Sequence, residues 1–231
     1  MAETSATYTI KTCDKCEDGY IYFEKDGRDY VAECDCLKHE KEQRRLHNLF
    51  KSAKVPERYI DKSLDNFIQF RQPEAFKTAK SFLQKWDEIK KTGRGIIFVG
   101  DVGTGKTHLS FAVFNDLVRR GVNGLAVTVP DLMDDIRPRS EEKQSEQIET
   151  LKEIDLLLLD DLGAQRNTPW VTERLFIIIN ARYNNLKPTI ITSNNRLEEL
   201  DKLEGWKRIV DRISEMCRPV KMEGESYRNE R

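Results

Sequence analysis

Apolar residues along this chain recur with two different periods and then in short unbroken runs, and the changes of pattern divide it. Around the turn signal Lys25-Asp26-Gly27, the residues Tyr20, Tyr22, Tyr30 and Ala32 fall at alternating positions, which predicts a β-hairpin. From Leu37 to Ala53 the spacing lengthens. Leu46, Leu49, Phe50 and Ala53 lie three and four residues apart among good helix formers, so an amphipathic helix is predicted, closed by Pro56. A second helix is predicted from Glu74 to about Lys91, with Phe76, Ala79, Phe82, Leu83, Trp86 and Ile89 on one face and Gly93 and Gly95 ending it.

Beyond Ile96, short apolar runs alternate with helical patterns: IIFV, a helix from about Gly105 to Arg120, GLAVTV, a charged helical stretch, DLLLLD, a helix through RLFIIINARYNN, and TIITSN. Alternation of this kind predicts a parallel sheet. The unbroken run LLLL lacks the in/out rhythm of a half-exposed strand and fits a sheet covered by helices on both faces. Residues 137 to 153 (RPRSEEKQSEQIETLKE) are polar enough to be expected to be mobile.

Composition narrows the class. The chain has 231 residues, enough for one large domain, or one of ordinary size with a small companion. With 34% charged residues and a mean hydropathy of -0.66, its apolar runs stop far short of a membrane span. The start, MAETSATYTIKTC, has neither a basic opening nor an apolar signal core, so a cytoplasmic location is expected. Net charge is -1, so contact with nucleic acid must use a local basic patch.

Four of the five cysteines fall close together near the start: Cys13 and Cys16 as C-x-x-C, Cys34 and Cys36 as C-x-C, with the hairpin between. Each pair delivers two thiolates from one turn, a pattern suited to structural tetrahedral Zn²⁺ with no open position for catalysis. A redox C-x-x-C is the rival reading, and His39 is an alternative ligand to Cys36. Cys217 reads as a small, partly buried side chain.

Residues 100 to 107 read GDVGTGKT, a full G-x-x-x-x-G-K-[ST] pattern between an apolar strand and a helix. A loop that wraps phosphate must turn its N–H groups inward, and Gly100, Gly103 and Gly105 permit that. The helix N-terminus adds partial positive charge. Gly100, Asp101, Val102, Gly103, Thr104, Gly105, Lys106, Thr107 and His108 form the predicted nucleotide-binding stretch. Lys106 supplies a cation to the β/γ-phosphates, and the Thr107 hydroxyl is placed for Mg²⁺.

The run IDLLLLDDLG puts Asp160 and Asp161 at a strand end, a Walker B pattern. Asp160 would hold the Mg²⁺, and Asp161 would orient or deprotonate the attacking water, with one methylene less reach than a glutamate. At the next strand end, TIITSNN brings Thr192, Ser193 and Asn194 to the sheet's carboxyl edge, where Asn194 would contact the γ-phosphate or its water.

The order GDVGTGKT, LLLLDDLG, TIITSNN and RIVDRI resembles an AAA+ ATPase, in particular the DnaC/DnaI-type replicative helicase loaders and the related IstB-type transposition ATPases, over nearly the whole chain. CDKC through CDC, the basic helix, VPERY and SLDNF resemble the N-terminal half of phage and Gram-positive-type loaders. The resemblance implies an α/β P-loop NTPase fold with a parallel sheet flanked by helices. No separate helical lid is expected, because the chain ends 37 residues after Asn194. A zinc-binding and helicase-interaction module over residues 1–55 would precede an ATPase domain over 56–231.

By the same resemblance, Asn66 and Phe67 would lie near the adenine, Asn194 would be the first sensor, and Arg212 would be an arginine finger given to a neighbouring subunit. Arg208 is the alternative finger, and Arg228 resembles a second-sensor arginine. The segment from Asp131 to Glu153 resembles a helix that touches single-stranded DNA, with Arg137 and Arg139 as backbone ligands, although its acidic residues also fit a solvated helix. The implied function is Mg²⁺-dependent ATP hydrolysis in a loader that binds a hexameric DnaB-type helicase, self-associates and helps place the helicase on single-stranded DNA. The alternative is an ATPase regulating a DNA transposase. The apolar stripe of the first helix fits docking on a partner and packing on the ATPase domain equally well.

Overall fold

The computed structural model describes residues 13–16, 18–137 and 140–227. Arg139 and Arg228 lie outside the described residues. The chain divides into two compact units, residues 1–48 and 49–231. Among the described residues, no helix is long and apolar enough to cross a membrane.

In the first unit, β1 (Tyr20–Lys25) and β2 (Arg28–Glu33) pair antiparallel, with Lys25 opposite Arg28. The two turn residues, Asp26 and Gly27, both have positive φ (52° and 68°), the requirement of the tight turn whose twist matches the strands. Phe23 and Tyr30 stack across the ladder at 5.6 Å. Helix α1 (Asp35–Ser52) follows.

In the second unit, Phe50, Ala53 and Val55 are buried. The Arg119 guanidinium lies 5.0 Å from the Phe50 ring centroid, and the Ala53 carbonyl accepts from Ala126 N at 2.9 Å. The C-terminal end of the apolar stripe on α1 is therefore used inside this unit.

Helices α2 (Pro73–Gln84) and α3 (Trp86–Thr92) replace the single helix expected over 74–91. The helix breaks at Lys85, and Trp86 beyond the break is buried beside Phe82 at 6.1 Å. Then follow β3 (Gly95–Gly100), α4 (Lys106–Arg119), β4 (Gly124–Thr128), α5 (Val129–Ile136), α6 (Glu141–Glu153), β5 (Leu156–Asp160), α7 (Pro169–Asn184), β6 (Thr189–Ser193), α8 (Leu197–Leu200), α9 (Lys207–Met216) and β7 (Cys217–Met222).

The five strands form one parallel sheet in the order β4-β5-β6-β3-β7. Every residue of β3, β5 and β6 is buried, as expected of strands covered on both faces. Ile97, Val99, Leu157, Leu159 and Ile191 share one core cluster with α5, α6, α7 and α9. The alternate residues of these strands point to the opposite face, the side of α4, on which α2 packs.

The charged helical stretch expected before β5 contains α6, anchored by the buried Ile148 and Leu151, three residues apart on one face. Strand β7 was not expected, because Arg218, Pro219 and Lys221 interrupt its apolar positions; as an edge strand it tolerates the proline and buries Cys217, Val220 and Met222.

Arg182 of α7 is fully buried. Its guanidinium donates to Leu151 O at 2.8 Å, Ile154 O at 2.9 Å, Pro188 O at 2.7 Å and Thr189 Oγ1 at 2.9 Å. One side chain thus ties the end of α6 to the segments entering β5 and β6, the strands that deliver the acidic and polar residues of the site. Burial lowers its pKa to about 9, which still leaves it charged at neutral pH. Arg182→Ala strands several buried acceptors and should cost at least about 3 kcal/mol in urea unfolding; a loss under about 1 kcal/mol contradicts this role.

Candidate functional site

The loop after β3 turns on glycines. Gly100 has φ +131°, and a Cβ there would sit 2.3 Å from Met222 O. Gly105 has φ +94° where the loop enters α4. Both constraints exclude larger residues. Thr104 Oγ1 donates to Asp101 O at 2.8 Å, which closes the loop on itself. Lys106 is buried, and its Nζ donates to Gly100 O at 2.8 Å and Asp101 O at 2.6 Å, so the ammonium is held inside the loop that would wrap the phosphates. Val102 stands exposed at the loop's tip.

Asp160 ends β5 buried next to this loop. Thr192 Oγ1 of β6 donates to its Oδ1 at 2.6 Å and accepts from Asp161 N at 2.9 Å, so one hydroxyl holds the Asp160 carboxylate and the Asp161 backbone. Burial raises the Asp160 pKa to about 6, and the neighbouring Asp161 charge adds to the rise; hydrogen bonds from Thr192 and Thr107 and the Lys106 charge oppose it. A buried carboxylate reached by the Thr107 hydroxyl fits a site completed by a divalent cation. Asp161 adopts φ +57° and is half-buried. Ser193 Oγ donates to Leu162 O at 2.6 Å, which fixes the turn after β5, while Asn194 is exposed just beyond β6.

Asn66 and Phe67 sit beside the start of α4. His108 Nε2 lies 2.8 Å from Asn66 Oδ1, and Asn66 Nδ2 donates to Asp61 O at 2.6 Å, so the Asn66 side chain is engaged within its own loop. The buried Phe67 stacks on Phe76 at 6.2 Å and meets the His108 ring edge-on at 5.4 Å. Desolvation lowers the His108 pKa, and the Lys62 charge adds to the effect.

The two α9 arginines both lie on rings of α7. Arg208 is exposed, 4.5 Å from the Phe176 centroid. Arg212 lies 4.7 Å from the Tyr183 centroid and donates to Asn180 Oδ1 at 3.2 Å and Asp211 Oδ2 at 2.9 Å. Among the described residues, these contacts hold both arginines on α7 and α9 rather than at the phosphate loop. Arg137, at the end of α5, is exposed over Trp170 at 5.3 Å. Nearby acids are partly engaged locally: Thr128 Oγ1 donates to Asp131, and Gln147 to Asp135.

The described geometry is a phosphate loop and an acidic strand end at the carboxyl edge of a five-stranded parallel sheet, and residues 29–231 match the family described as IstB-like ATP binding protein. The chain belongs to that family. Within the family's reach, it is 30% identical over 145 residues to the replicative helicase loader DnaC of Escherichia coli K12, covering 62% of this chain and 58% of that protein. It is 24% identical over 213 residues to the replicative helicase loader DnaI of Bacillus subtilis, covering 85% of this chain and 68% of that protein. It is also similar to the crystal structure of the DnaC helicase loader, with a TM-score of 0.64 and 31% identity over 72% of this chain and 99% of that one. The chain spans about three fifths of the length of the first curated relatives it matches.

This IstB-like chain carries a second cluster. The Sγ atoms of Cys13, Cys16, Cys34 and Cys36 all lie within 4.8 Å of one another, with Cys13 to Cys34 at 3.9 Å and Cys16 to Cys36 at 3.3 Å. Four thiolates about 2.3 Å from a tetrahedral zinc would be roughly 3.8 Å apart, so the cluster fits that ion. His39 is exposed and lies outside the cluster found among the described residues.

The contributions missed by sequence reasoning are the double hydrogen bond of Thr192 and the segment after β7 that returns to the loop. The single hydroxyl in the IIT run was the available signal for the first; the second left none.

Two expectations follow. Without nucleotide or added magnesium, folded Asp160 titrates at about 6 against about 4 in the unfolded chain, so the folded state holds the proton more tightly and the ionised carboxylate costs stability above pH 6. Asp160→Asn should therefore raise unfolding free energy by about 3 kcal/mol at pH 8, the gain fading as pH falls from 6 to 4 and disappearing below 4. Equal stability at pH 8 contradicts this. Elemental analysis should find about one zinc per chain, lost in Cys34→Ser; a folded sample with four free thiols and no metal contradicts the cluster reading.

Proposed function

We propose that this chain is an ATP-dependent helicase loader. Its ATPase domain, residues 56–231, would hydrolyse ATP, while the cysteine-bound module within residues 1–55 would engage a hexameric DnaB-type helicase and help place it on single-stranded DNA. The observation that carries the reading is the meeting of Lys106 and Thr107, which follow β3, with Asp160 and Asp161, which end β5, across the carboxyl end of the intervening β6, in a chain whose relatives include two helicase loaders.

In this reading the N–H groups of residues 100–107 and the Lys106 ammonium hold the β/γ-phosphates, and Thr107 and Asp160 hold magnesium. Bound magnesium supplies Lewis-acid stabilisation of the phosphate oxygens. Asp161, its backbone fixed by Thr192, orients water toward the γ-phosphorus and takes its proton. The bond to the β–γ bridging oxygen breaks, leaving ADP and phosphate. Asn194 contacts the γ-phosphate or the water from the end of β6.

Charge spread over the transferring phosphoryl group calls for a guanidinium, which Arg212 or Arg208 would bring to a neighbouring subunit. Arg212 must release Asp211 to do so, whereas Arg208 already stands exposed. Arg228 would act as the second sensor and Arg137 and Arg139 as DNA backbone ligands. The family match also favours a second reading, an ATPase that regulates a DNA transposase; recovery of transposase rather than helicase from pull-downs distinguishes it.

Lys106→Ala should abolish ATP turnover while zinc content stays unchanged; full turnover in that variant overturns the reading. Arg212→Ala mixed with Asp161→Asn should regain activity that neither has alone, since each supplies what the other lacks. Absence of any gain in a demonstrated mixed assembly contradicts an Arg212 finger acting between subunits, and the same mixture built on Arg208→Ala then tests the alternative.

A further inference from the structure

The chain leaves β7 and crosses back over the phosphate loop. Asp101 N donates to Met222 O at 3.1 Å, Gly224 N donates to Asp101 Oδ2 at 3.0 Å, and Tyr227 N donates to Gly103 O at 3.1 Å. The strap is also held from outside: Gln72 Nε2 donates to Glu223 O at 2.9 Å, and Arg196 pairs with the Glu223 carboxylate at 2.6 Å. These contacts set the Tyr227 ring against the loop, with the Arg71 guanidinium 5.0 Å from its centroid. A Cβ on Gly105 would lie 3.0 Å from the Phe67 ring and 3.3 Å from the Tyr227 ring, so two aromatic side chains converge on one loop residue.

Strand order tells which end of a nucleotide faces them. β3 feeds the loop and lies between β6 and β7. Asp160 and Thr192 approach from the β5 and β6 side, and Lys106 with Asp160 marks the terminal phosphates and metal. The strap and Tyr227 come from the β7 side. A nucleoside triphosphate with its terminal phosphates at Asp160 must send its base away from them, and the rings of Phe67 and Tyr227 lie on that outward course.

We infer that Tyr227 is a base-stacking residue, forming with Phe67 the aromatic wall of the nucleobase site, and that a stacked purine holds the C-terminal strap against the loop. This rests on the phosphate-loop reading of the site. A π-face suits every base, so the wall supplies affinity with little discrimination among bases, and the Arg71 guanidinium behind the Tyr227 ring fixes its plane.

The test is calorimetric titration of the full chain with ATP and, separately, with inorganic tripolyphosphate, which has no base, both with magnesium. Tyr227→Ala should weaken ATP by roughly tenfold or more and leave tripolyphosphate within about twofold, and Tyr227→Phe should restore ATP affinity. Unchanged ATP affinity in Tyr227→Ala overturns the inference. So does equal weakening of both ligands, which would make the tyrosine a support of the loop, or tighter binding of both, which would make the strap an obstruction. If wild-type protein binds neither ligand, the phosphate-loop reading itself fails and the inference falls with it.

Discussion

A carboxylate placed where water cannot reach it is the constraint around which the second unit is organised. Asp160 ends a strand of four buried leucines, and its ionised form is disfavoured until a positive charge arrives. Thr192 bridges it to the next strand, and Thr107 and Lys106 approach it from the first turn of α4. The contacts come from the end of β6 and from the first turn of α4, which follows β3, so β5, β6 and β3 must lie side by side for the group to exist. Arg182 secures the assembly at a distance, since it ties the entries of β5 and β6 to α6. A divalent cation bound beside it would relieve the tension that burial creates.

Much of this was legible in the sequence because chemistry and period coincided there. GDVGTGKT lies between an apolar run and a helical pattern, and LLLLDD places its acids where a strand must end. The hairpin could be read because Asp26-Gly27 supplies the turn and the aromatics alternate around it. What escaped was set by tertiary packing. β7 hides behind Pro219 and two charged residues because an edge strand needs burial on fewer positions. The return of the strap to Asp101 and Gly103 joins residues more than a hundred positions apart, which no local pattern records.

The two units are stabilised by different means. The hairpin of the first leaves Tyr22, Phe23 and Val31 exposed, so apolar burial within it is slight and a tetrathiolate metal would supply what a core of that size cannot. The second unit has a continuous core and can give its carboxyl edge to polar and charged groups. Glycines at Gly100 and Gly105 keep that edge open to close approach, by phosphate on one side and by the strap and aromatic rings on the other.

In the proposed function, magnesium and a nucleoside triphosphate meet at Lys106 and Asp160. Calorimetry of ATP binding with and without magnesium, in wild-type protein and in Asp160→Asn, tests it most directly. One saturable site per chain, strengthened by magnesium in the wild type and insensitive to it in the variant, is the predicted result. No saturable heat in the wild type, or the same gain from magnesium in both proteins, would contradict it.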